Sequence, residues 1–245
     1  MITLYLRRGL AAGLVAGLLA GVFAFFFGES PLEEAIQLEV AASGGAPEEE
    51  AFSRSTQKVG LFFATGLSGM ALGGLFGLAY TYFRDRLASE SDWERSLTLA
   101  AVIFIGTILL PFLKYPANPP TIGDPATVGT RTTAYFAMVI LSLLALLTAW
   151  SVVNKLRERG MNAPVRQTVV GAGLMVVLAG LFIGLPAAAD TGGFPAGLLW
   201  DFRVRALGTQ LVLWTSLGVV FGWLCERSNQ PSQKSSPADV TAPGR

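Results

Sequence analysis

Histidine is missing from this chain altogether, and cysteine occurs once, at Cys225. The first absence removes the commonest general base and metal ligand. The second rules out an internal disulfide and a cysteine-built zinc site. Charge is also scarce. Lys, Arg, Asp and Glu make up 14% of the 245 residues, where a soluble domain carries about 25%. Bases (18) and acids (17) nearly cancel, so there is no basic footprint for nucleic acid. No Gly-rich loop ending in Lys-Ser/Thr appears, which excludes an ATP site of that type. Apolar surface takes the place of charge: 52% of residues are hydrophobic and the mean hydropathy is +0.52. Most soluble enzyme classes are excluded, and an integral membrane protein is indicated.

Six uncharged runs set the architecture: Leu10–Phe27, Val59–Phe83, Leu97–Leu113, Ala134–Val153, Val169–Ala189 and Leu207–Leu224. They hold 119 residues in lengths of 17 to 25, and a helix needs about 20 to cross a ~30 Å hydrocarbon core. Backbone polar groups in lipid must be satisfied within the segment, so these runs are expected to be helices. The reading is an all-helical bundle of about six spans forming one polytopic domain over 1–227, followed by a disordered tail over 228–245. Five spans are possible, the short first and sixth being the ones in question. Arg7 and Arg8 precede the first run as in a signal peptide, but Phe25-Phe26-Phe27-Gly28-Glu29-Ser30 offers no small-x-small cleavage site, so a retained span is expected. Basic residues divide 12 to 6 between the two sets of connecting segments, with both termini on the richer side. The positive-inside rule then orients the chain N-in and C-in.

The connecting segments carry the polar motifs. Ser30-Pro31-Leu32-Glu33 has the form of a capping box, predicting a short helix that starts at Ser30 and lies on the membrane surface. Ser43-Gly44-Gly45-Ala46-Pro47 reads as a flexible break and Glu48–Glu50 as a solvated charge run. Four prolines, Pro116, Pro119, Pro120 and Pro125, forbid a continuous helix over that stretch and leave backbone carbonyls free. Gly9, Gly13, Gly17 and Gly21 recur every four residues in the first span, and Gly69, Gly73 and Gly77 in the second. That spacing lets helix backbones approach closely in lipid; packing is the plain reading and a sliding contact the functional one.

No Asp, Glu, Lys or Arg lies within a run, so intramembrane acid–base chemistry lacks its usual groups and the chain is read as a non-enzyme. Oxygen donors remain. Glu29, Glu33 and Glu34 cluster after the first span, and Asn118 and Asp124 sit in the proline-rich segment. These are candidate ligands for a divalent cation; a solvated acidic face and a turn-tightening Asp124 are the structural alternatives. Arg54, Gln57, Pro116, Pro119, Pro120, Arg131, Asp201 and Arg203 are candidates for a structural or gating role, with the arginines expected to pair with acids.

Several blocks resemble the CbtA family of proposed cobalt transporter subunits. They are Gly-Leu-Ala-Ala-Gly-Leu-Val-Ala-Gly (9–17), Gly28-Glu29, Ala35-Ile36-Gln37-Leu38-Glu39, Ser53-Arg54-Ser55-Thr56-Gln57 and Gly73-Gly74-Leu75-Phe76. Pro116-Ala117-Asn118-Pro119-Pro120 with Gly123-Asp124 and Arg131-Thr132 is the most specific, and Leu199-Trp200-Asp201-Phe202-Arg203 with Leu213-Trp214 completes the set. The resemblance implies a multi-pass protein of the bacterial inner membrane and cobalt uptake linked to cobalamin biosynthesis. It also implies a small one-span, histidine-rich partner, CbtB. Cobalt is then the transported substrate, and no cofactor is expected to be bound tightly. The family is usually described with five spans, and some relatives carry histidines in the first outer loop where this chain has acids. The alternative function is a non-transporting membrane scaffold or sensor that organises a partner.

Overall fold

The computed structural model describes residues 1–42, 53–87, 89, 91–119 and 122–229. The break at 43–47, Glu48–Glu50, Pro120 and the tail from 230 onward lie outside the described residues. All described elements are helical: α1 (Ile2–Phe23), α2 (Glu29–Ala42), α3 (Arg54–Phe83), α4 (Asp92–Phe104), α5 (Leu110–Lys114), α6 (Val128–Glu158), α7 (Ala163–Gly184) and α8 (Ala196–Asn229). A π-helical segment, Ala24–Gly28, joins α1 to α2, and another, Ile105–Leu109, joins α4 to α5. The described residues thus form six helices long and apolar enough to cross a membrane.

Each π segment has a proline two or three residues beyond its end, Pro31 after Gly28 and Pro111 after Leu109. Proline has no N–H, and its ring crowds the carbonyl four residues back, so the helix widens locally instead of breaking. This overrides the capping box at Ser30: the chain runs helically from Ile2 to Ala41, and Ser30 lies inside the helix. The helices also overrun the apolar runs. Arg54–Lys58 and Val128–Thr133 are helical, and α8 takes in Ser228 and Asn229 of the expected tail. Only α7 stops early, at Gly184, where Leu185 before Pro186 is extended (φ −84°, ψ 153°).

The core is built by α1, α3, α4 and α8. Between α1 and α3 the backbones touch. A Cβ on Gly13 would lie 2.7 Å from the Gly73 Cα, and one on Gly69 2.6 Å from the Gly17 Cα. Gly9 faces Gly73 and Gly77, Gly17 faces Thr65 and Gly69, and Gly21 meets the Thr65 hydroxyl. The α4–α8 contact is similar in kind: Ser96 Oγ donates to the Gly218 carbonyl (2.7 Å), and Gly222 packs on Trp93 and Ser96. Buried Tyr5, Phe76, Tyr80 and Phe221 stack where α1, α3 and α8 meet, with centroids 4.9–6.3 Å apart. The pair α6–α7 lies at the edge: α6 buries only Ala134, Met138 and Ser142, and α7 buries nothing.

Candidate functional site

Polar side chains gather at the two ends of the bundle. Arg8 donates to Ser228 (2.5 Å), so the start of α1 and the end of α8 share one end. The other end carries residues 24–42, 53–58, 114–119, 122–131 and 185–206 and holds most of the candidates drawn from the sequence.

At that second end, Glu29 is clamped by α3. Its Oε2 lies 3.2 Å from Arg54 Nη2 and 3.7 Å from Lys58 Nζ, and Arg54 also donates to Gln57 (2.8 Å). Pro31 cannot supply the N–H that Phe27 C=O would receive in an α-helix. Arg205 Nη1 supplies a donor instead (2.6 Å), while its Nη2 pairs with Asp201 one turn earlier (2.6 Å). The proline thus creates an acceptor on the first long helix and α8 fills it. Glu33 and Glu34, on α2, are exposed.

The proline-rich segment crosses over α6 and α8. Arg203 of α8 donates to Ala117 C=O (3.3 Å) and to Asn118 Oδ1 (2.7 Å). Arg131 of α6 donates to Ile122 C=O and Asp124 C=O (3.3 Å each). Gly123 makes the second contact possible. It has φ +100°, and a Cβ there would lie 2.9 Å from Arg131 Cζ. The two arginines therefore hold neutral oxygens where carboxylate partners were expected. The acids of the same segments are engaged locally: Asp124 Oδ1 accepts from the Ala126 N–H (2.8 Å), and Asp201 pairs with Arg205. Lys114 caps the Phe182 carbonyl (2.7 Å) and the Tyr115 hydroxyl donates to Pro186 C=O (2.7 Å), tying the segment to the end of α7. Desolvation by burial raises the Tyr115 pKa.

Two clefts open here. One, of about 420 Å³, lies among Pro116, Asn118, Pro119, Arg131, Tyr135 and Arg203. The other, of about 580 Å³, is bordered by Glu39 of α2, Asp124 and Asp190. Asn118 and Asp124, six positions apart in the chain, thus face different clefts, and Glu29 borders neither. Among the described residues no three acidic or thiol side chains converge as a metal cage. Glu39 and Asp190 were not singled out from the sequence; each is an isolated acid, and only the fold sets them beside Asp124.

Sequence reasoning also missed the opposite end. Asp92, 3% exposed, opens α4 and accepts from the Tyr80 hydroxyl (2.5 Å) and Arg95 Nη1 (3.3 Å), with Arg84 Nη2 at 3.8 Å. Arg84 in turn donates to the Tyr5 hydroxyl (2.5 Å). This network ties α1, α3 and α4 together. Asp92 is one of four acids between Arg84 and Arg95, with Asp85, Glu90 and Glu94, and along the chain it is indistinguishable from solvated charge.

A family model described as "Probable cobalt transporter subunit (CbtA)" matches residues 2–226, which takes in all six long helices and both polar ends. Neither a curated protein nor a solved structure matches the chain.

Proposed function

The chain belongs to the CbtA family of probable cobalt transporter subunits, and on that premise we propose that it passes a divalent cation, cobalt above all, inward across the bacterial inner membrane to supply cobalamin biosynthesis. The observation that carries this reading is the extent of the family match, from Ile2 to Glu226, over a multi-helix membrane bundle. An N-in, C-in orientation would put the acidic cleft of Glu39, Asp124 and Asp190 on the outer face, with exposed Glu33 and Glu34 on the same helix as Glu39. There they would concentrate a hydrated cation. A low-affinity gathering surface suits this donor set, which is oxygen only. Cobalt favours imidazole, so a small one-span subunit bearing histidines would complete the path.

The membrane potential is sufficient to drive uptake. An inside-negative potential of about 100 mV is worth ~2.3 kcal/mol per charge, hence ~4.6 for a divalent ion. At ~1.4 kcal/mol per tenfold, that sustains on the order of a thousandfold accumulation.

Vesicles containing the chain, with and without the histidine-bearing subunit, test the reading directly. Cobalt should accumulate when an inside-negative potential is imposed and should stop when the potential is collapsed. Folded protein that moves no cobalt in either case would point to the scaffold or sensor role. Reporter fusions at Pro47 and Asn229 check the orientation: they should report opposite sides, with Asn229 in the cytoplasm.

A further inference from the structure

Four of the described arginines, Arg54, Arg84, Arg95 and Arg205, have a carboxylate partner. Arg131 and Arg203 have none among the described residues; their acceptors are three backbone carbonyls and the Asn118 amide oxygen. Both side chains line the same cleft of about 420 Å³, and among the described residues no Asp or Glu lines it. The acceptors named occupy two N–H groups of each guanidinium, which leaves donors over on both. Arg131 Nε is buried without a partner among the described residues.

We propose that this cleft binds a small organic carboxylate, either free or chelating a divalent cation. Two uncompensated guanidinium groups at one cavity make a site for an anion and repel a bare cation. Planar guanidinium forks match the geometry of carboxylate oxygens. The remaining walls favour an anion with a carbon skeleton over a compact inorganic one: Pro116, Pro119, Ile122 and Tyr135 present apolar surface. The volume falls within the roughly 300–1,000 Å³ of small-molecule sites. Carrying cobalt as a carboxylate chelate would also remove the need for a nitrogen-rich cage in this chain. Only that last step rests on the transport reading; binding of the free carboxylate does not.

Titration calorimetry on the full chain in detergent tests the site, with citrate, citrate plus equimolar Co²⁺, CoCl₂ alone and inorganic phosphate as probes. Citrate should bind saturably, with or without cobalt, and more tightly than phosphate. Arg203→Gln and Arg131→Gln should each weaken citrate binding about tenfold, the loss expected for a charge-assisted hydrogen bond. Because both arginines also hold the proline-rich segment, Ala188→Phe is the control: it fills the cleft, leaves both charges, and should abolish citrate binding in protein whose helical circular dichroism is unchanged. The proposal is overturned if wild-type protein does not bind citrate, if folded Ala188→Phe binds it as wild type does, or if phosphate binds as tightly. Potential-driven uptake of CoCl₂ without citrate binding would overturn this site and leave the transport reading standing. Citrate binding in a protein that moves no cobalt would support the site and remove the transport reading.

Discussion

Glycines recur in α1 and α3 and again in α7, yet the two regions end in opposite environments. Gly9, Gly13 and Gly17 lie against the α3 backbone so closely that no side chain fits. Gly171, Gly173, Gly180 and Gly184 of α7 have no neighbour within 4 Å of where a Cβ would stand. The same residue type at helical spacing is a packing surface in one place and open helix face in the other. Lipid supplies no hydrophobic force to bring helices together, so a glycine row has value only where a facing row lets the backbones meet. Helix α3 provides that row for α1, through Gly69, Gly73 and Gly77, whereas no neighbouring helix comes within 4 Å of where the α7 glycines would carry a Cβ.

The contrast can be broken most easily at its tight side. Gly73→Leu should give little or no folded protein in membranes, since its Cβ alone would fall 2.6 Å from the Gly13 Cα. Folded yield measured by size-exclusion chromatography in detergent checks it, and wild-type yield would show that α1 and α3 can part without harm.

Next in size is Asp92→Ala at the end of the same tight region. It leaves Arg84, Arg95 and the Tyr80 hydroxyl without their buried acceptor, and loss of one partner of a buried pair costs about 3–5 kcal/mol. SDS unfolding titrations followed by tryptophan fluorescence should resolve it. A loss below roughly 1 kcal/mol would place the network among surface ion pairs.

Ser96→Ala sharpens the comparison on the second close contact, α4–α8. Removing the hydroxyl that donates to Gly218 C=O should cost on the order of 0.6 kcal/mol, the average for interhelical hydrogen bonds in membranes. The same titration reads it.

Gly180→Leu should have the smallest effect, within roughly 0.5 kcal/mol of wild type, because its surroundings are open. Damage equal to that of Gly73→Leu would mean that α7 packs against something as closely as α1 does, and the two regions would no longer differ.

The candidate site was legible in part. The proline-rich segment stands out because four prolines fall within ten residues, and Arg131, Asp201 and Arg203 because charge is scarce; all four lie at one end of the bundle. Their partners were not legible. Arg203 could have met Asp201, two residues away, but α8 turns Asp201 toward Arg205 one helical turn on. The π segments were hidden because Pro31 looked like a helix start and Pro111 lay inside an apolar run. Only the continuous helices around them show that each proline widens a helix.

Six apolar runs, balanced scarce charge and the absence of histidine were enough to determine that this chain is a helical membrane protein whose own donors are oxygens. That information is local: each run is long enough, and the backbone must satisfy itself in lipid. The tertiary structure alone decided which glycines touch, which acid is buried and which arginines are left facing a cleft without a countercharge. Those outcomes depend on residues far apart in the chain, as with Gly13 and Gly73 or Asn118 and Arg203, and no local pattern encodes which partner a side chain meets.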